Sequence, residues 1–289
     1  LGHRWLELGY LGVDFFFVLS GFIMYHWTVG RSKTAADYAG ARLRRIYIPY
    51  LPIGIGIALL YTLFPNVSAG QREWSWLPRM TLFPAQDPAL SVAWTLQHEV
   101  LFYLIFGLCY FSGRLFLGLG AWAALILGNA IFLGSKAIPL SLINLEFMMG
   151  VAVAMMKDRR PPPLYLAPLP ALLWLLLGSQ RDWSILIGLS CALAMWHAVR
   201  FELAGKLSIA PWLVFLGAAS YSLYLSHGLA ISIVGRLLQG HAYPILFTAL
   251  VVGTTAGIAY YLLVERPLLL LARKYGRRGQ SQPEPVAAP

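Results

Sequence analysis

Apolar residues run along this chain in blocks of membrane-spanning length, separated by short polar stretches. The blocks fall at about 10–28, 46–64, 92–111, 115–133, 138–156, 164–178, 183–199, 211–235 and 243–271. Lipid offers no water to satisfy backbone N–H and C=O groups, so a spanning segment must be a helix or part of a closed barrel. Runs such as Leu164–Gly178 and Ile245–Val264 lack the alternation of period two that barrel strands require. The pattern therefore predicts an all-α, polytopic transmembrane helix bundle with about nine spans. The segment 164–178 is short for a span, and Pro168 and Pro170 sit near its start, where a helix tolerates them.

The connecting stretches are mostly short. Residues 66–91 form the one substantial loop, and Trp74 and Trp76 in it suit a membrane interface. One transmembrane domain over 1–275 is expected, followed by a Gln-, Pro- and Ala-rich cytoplasmic tail at 276–289 that reads as disordered. No internal repeat or soluble domain stands out.

Charge sharpens this picture. Only 12% of residues are charged, about half the usual share in a soluble domain. In a soluble protein a net charge of +10 would point to nucleic acid. Here the basic residues collect at alternate helix ends instead, so no nucleic-acid partner is expected. Loops carrying Arg31 to Arg45, Arg114, Lys157 to Arg160, Arg200 with Lys206, and Arg273 to Arg278 hold 15 of the 22 Lys and Arg; the opposite set holds six. By the positive-inside rule the C-terminus and the loop after the first block are cytoplasmic, and residues 1–9 lie outside. Cys109 and Cys191 sit far apart within apolar runs and read as small core residues.

Ionisable groups at membrane depth are costly and each calls for a partner. Glu99, in Trp94-Thr95-Leu96-Gln97-His98-Glu99, lies one to two turns below the outer end of its helix. An interfacial carboxylate paired with an arginine and a functional carboxylate both fit that position. His98 points about 100° away from Glu99. His3 shares the outer side with Glu99; a solvated terminal histidine is one reading, and a base oriented by a carboxylate is the other.

Arg42 and Arg45 share a helix face at the cytoplasmic entry of their span, as a phosphate clamp or as plain topology signals. Tyr224 and His227 belong to a polar stripe in Ser220 to His227 that must face the bundle interior, lining a substrate path or holding helices together. Asp14, Glu146 and Glu265 also fall in spans, and for Glu265 an internal ion pair is the simple account. There is no Gly-rich phosphate loop, no nucleophile elbow and no metal-ligand cluster of helical spacing, so no metal is expected.

Taken together, Gly12-Val13-Asp14-Phe15-Phe16-Phe17-Val18-Leu19-Ser20-Gly21-Phe22, the stretch Arg42 to Pro49, Trp94-Thr95-Leu96 with Glu99 and Phe102-Tyr103, and Ser220 to His227 resemble the acyltransferase-3 family. The resemblance runs along essentially the whole chain and is nearest to the single-domain exopolysaccharide acetyltransferases. It implies a bacterial inner-membrane O-acyltransferase with a bundle of about ten helices. Such an enzyme takes an acyl group, acetyl being expected, from cytoplasmic acyl-CoA to a hydroxyl of an extracytoplasmic polysaccharide or lipid-linked glycan. Membrane lipids and polysaccharide-synthesis proteins are the other implied partners.

Glu99 matches the family's functional carboxylate, His3 stands for its essential histidine, and Arg42 and Arg45 match arginines of its basic stretch, although Ala41 replaces the usual first arginine. Asp14, Trp94, Tyr224 and His227 are the supporting or path-lining candidates. The family's first helix is not among these residues, so an upstream helix is expected. An inactive truncated acyltransferase is the alternative if none is encoded, and a lipid-linked sugar flippase is the other reading of the polar stripe.

Overall fold

The computed structural model describes residues 11–31, 34–63, 80–82, 88–177, 184–237 and 242–278. Among the described residues each of the nine apolar blocks contains a helix, and no strand forms. We number the helices α1 (Leu11–Thr28), α2 (Ala35–Leu63), α3 (Trp94–Phe111), α4 (Leu115–Gly128), α5 (Asn144–Met156), α6 (Leu169–Leu176), α7 (Ile185–Leu203), α8 (Pro211–Leu237), α9 (Ala242–Tyr260) and α10 (Arg266–Arg278). Among the described residues six helices are long and apolar enough to cross a membrane, while Asn144–Met156 and Leu164–Leu176 are shorter apolar helices. This is a polytopic membrane bundle, and the many exposed leucines and phenylalanines are what lipid-facing surfaces require.

The chain divides into two compact units. The first joins residues up to Ala39 with Thr95–Ile209, and the second joins Gly40–Trp94 with the chain from Ala210 onward.

In the first unit α1 and α5 pack backbone to backbone. A Cβ at Gly21 would overlap the Phe147 carbonyl, and one at Gly150 would overlap the Val18 carbonyl. Lipid supplies no hydrophobic drive between helices, so close van der Waals contact through small residues takes its place. Phe17, Phe102, Phe106 and Phe147 fill the space beside this contact, with the Phe102 and Phe147 rings stacked 4.4 Å apart. The turn between α4 and α5 is tied down by side chains. Asn129 donates to the carbonyls of Ser135 and Leu140, Trp122 donates to Pro139, and Asn144 donates to Ile138.

In the second unit α2 carries Pro49 and Pro52. Each proline removes a helical N–H, and tyrosines from later helices contact the carbonyls of this stretch. Tyr221 of α8 donates to the Ile46 carbonyl at 3.4 Å, and Tyr260 of α9 donates to the Pro49 carbonyl at 2.7 Å. Between α9 and α10 the chain makes a π turn, Tyr261–Glu265, in which the Arg266 N–H reaches the Tyr261 carbonyl. The turn ends two residues before Pro267, whose ring forbids the next ordinary helical rung.

Candidate active site

Glu99 sits in the second turn of α3, where every side chain from Thr95 to Glu99 is buried. Two hydroxyls hold its Oε1. Ser20 of α1 donates at 3.3 Å, and Tyr103, one turn further along α3, donates through a short bond. Both donors lie in the sequence stretches that carry the family resemblance, but nothing in spacing links Ser20 to a residue 79 positions away. Thr95 and Trp94 lie on the first turn of the same helix, with Thr95 fully buried.

His98 follows a different set of contacts, as its angle around the helix requires. Its Nδ1 lies 2.8 Å from Asn144 Oδ1, and its ring meets that of Phe17 at 5.9 Å. Asn144 gives its amide N–H to the Ile138 carbonyl, which leaves its oxygen facing the ring. His98 Nδ1 is therefore the donor, and the imidazole is fixed in one tautomer.

Asp14 is buried on α1, and Glu146 of α5 lies close enough for the two carboxyls to interact. Glu146 fits only because α7 has Gly188 opposite: a Cβ there would come within 2.6 Å of Glu146 Cγ. His3 lies outside the described residues.

The second unit contains a cavity of about 450 Å³, lined by Arg44 and Arg45 of α2, Ser220 and Tyr221 of α8, Tyr261 and Glu265 of the π turn, and small or apolar residues between them. Arg42 is half-buried on the same helix and is not among the lining residues. Arg44 takes that place, because neighbouring positions on a helix diverge by about 100° and the cavity opens beside Arg45 on the Arg44 side. Glu265 is buried at the wall, accepts a short hydrogen bond from Ser222 and lines the same cavity as Arg45.

The polar stripe of α8 resolves into separate pairings. Ser222 serves Glu265. Tyr224 donates to the Val92 carbonyl at 2.6 Å, which ties α8 to the turn before α3 within the same unit. His227 Nδ1 bonds the Tyr224 carbonyl at 2.5 Å, so this ring too is fixed in one tautomer. Trp94 is half-buried at the start of α3. Arg44, Ser20, Tyr103 and Ser222 are the residues that position alone does not single out.

The acyltransferase-3 family model, described as an acyltransferase domain, matches residues 2–264. The chain is also 33% identical over 298 residues to the Exopolysaccharide production protein ExoZ of Rhizobium meliloti (strain 1021), covering 94% of this chain and 93% of that protein. No solved structure matches the chain.

Proposed function

This chain belongs to the acyltransferase-3 family and is a membrane acyltransferase, and from that premise we propose that it moves an acetyl group from cytoplasmic acetyl-CoA to a hydroxyl of an exopolysaccharide or its lipid-linked precursor. The net reaction forms a C–O ester bond at the glycan as the C–S thioester bond breaks, and the hydroxyl proton ends on the coenzyme A thiol. His3 takes that proton from the acceptor, with Glu99 as its orienting carboxylate. Arg45 and Arg44, which line the cavity, hold the phosphates of the donor, and Arg42 stands beside them on the same helix. The enzyme resides in the bacterial inner membrane with its C-terminus in the cytoplasm.

The observation that carries this reading is Glu99. It is a carboxylate buried in a membrane helix and held by two hydroxyls, in one of the two motifs that carry the family resemblance most specifically. Burying such a group costs several kcal/mol, and packing alone would be served better by an apolar residue. The arginine-lined cavity supports the donor half, since a diphosphate needs fixed cations.

The test uses the full-length protein in membranes with radiolabelled acetyl-CoA and the cognate polysaccharide. Wild type is expected to label the glycan, and Glu99→Gln, which keeps shape and burial, is expected to lose about 100-fold or more in kcat. Wild-type rates in Glu99→Gln would remove Glu99 from the chemistry. Glycan movement without any dependence on acetyl-CoA would favour the flippase reading.

A further inference from the structure

We infer that Glu265 is a positioning residue for Arg45, holding its guanidinium in the cavity so that it meets the phosphates of the acyl donor already oriented. The inference rests on the reading of that cavity as the donor site.

Three observations meet at Glu265. It is 6% exposed on a helix that the sequence places in the membrane, where a carboxylate persists only with partners that offset its desolvation. Ser222, fully buried on α8, gives its hydroxyl to Oε2, which fixes the plane of the carboxylate without neutralising it. The nearest element to offer a cation is α2, whose Arg45 together with Arg44 lines the same cavity as Glu265.

The backbone explains how the carboxylate reaches that wall. The π turn adds a residue to the helical register just before Pro267, and Tyr261, Glu265 and Leu269 then all face the cavity. Single π turns of this kind recur at functional sites because they re-aim a side chain without ending the helix.

Arginine is a long chain with many rotamers, and α2 leaves Arg45 exposed. An unheld guanidinium must be ordered when ligand binds, and that cost appears in affinity. A buried carboxylate on the flank of the cavity supplies the order in advance, while the five N–H donors of the guanidinium leave a fork for phosphate oxygens. The same negative charge would repel a phosphate that touched it directly. The two roles therefore predict opposite effects of neutralising it: loss of donor affinity if Glu265 orients Arg45, and gain if it merely opposes the ligand.

The experiment measures initial rates against acetyl-CoA concentration for the full-length protein in proteoliposomes. Glu265→Gln is expected to raise KM for acetyl-CoA about tenfold, which corresponds to about 1.4 kcal/mol, with kcat within about twofold of wild type. Ser222→Ala moves KM the same way by a smaller factor, and it keeps the test alive if Glu265→Gln does not accumulate. Arg45→Gln raises KM, and the double variant Arg45→Gln with Glu265→Gln shows no more than the Arg45→Gln effect. An unchanged or lowered KM in Glu265→Gln, a loss confined to kcat, or additive losses in the double variant would each overturn the assignment. In an active enzyme those outcomes leave the acyl-CoA reading intact, whereas a wild type that never consumes acetyl-CoA removes both.

Discussion

Glu99 and Glu265 are the same side chain on membrane helices, each buried and each held by a serine from another helix, yet their surroundings differ in kind. Among the described residues, Glu99 accepts from two hydroxyls, those of Ser20 and Tyr103, beside the rings of Phe102 and Tyr103 on its own helix. Around Glu265 there are two arginines, two tyrosines and an open cavity of about 450 Å³. A carboxylate set among hydroxyls in a packed core is suited to steering a proton; one set against guanidinium groups beside a void is suited to shaping a binding site. The environment divides the labour between two residues that look alike in sequence.

The two regions also differ in how much change they tolerate, which gives ways to break the contrast. The largest effect is expected in the packed unit. Gly150→Val drives a side chain into the α1 backbone at Val18, and a cost of at least ~3 kcal/mol follows because backbone cannot yield as a flexible side chain can. The yield of monodisperse protein in detergent should collapse; a normal yield would show that the α1–α5 contact is looser than described.

A smaller effect sharpens the Glu99 side. Tyr103→Phe removes the short bond to Oε1 and should cost about tenfold in kcat, as expected for a hydrogen bond to a charged group. Ser20→Ala, at 3.3 Å, should cost about threefold. In both variants KM for acetyl-CoA stays put, unlike the Glu265→Gln result. A KM shift on the Glu99 side would erase the distinction between the regions. The smallest kinetic effect is at a control away from both carboxylates: Trp122→Phe loses the bond to Pro139 and about 1 kcal/mol of stability, with both kinetic constants unchanged.

Much of this was legible in the sequence because it depends on local pattern. Each apolar block became a helix, since lipid allows few other solutions. Glu99 stood out because a charge in an apolar run is conspicuous wherever its partners come from. The partners themselves were hidden. Ser20 and Glu99, or Ser222 and Glu265, lie on different helices, and their meeting is decided by packing rather than spacing.

Gly188 is the clearest case, since its role is defined by the Glu146 side chain that rests against it. Helical spacing favours Arg42 with Arg45, because positions three apart share a face, whereas the cavity is bounded by the consecutive pair Arg44 and Arg45. The π turn had one sequence cue, Pro267, but the cue says only that the ordinary ladder must fail nearby.

That turn has a consequence for how such a chain can vary in length. An extra residue is stored at Tyr261–Glu265. Deleting one residue there would close the wide turn into an ordinary helix and leave the faces after it nearly in place. The same deletion in the regular part of α9 would swing everything after it by about 100°, taking Leu269 off the cavity wall and turning the apolar run Leu268 to Leu271 to a new bearing. A one-residue gap is absorbed at this turn and would elsewhere in the helix change which side chains share a space with Arg45.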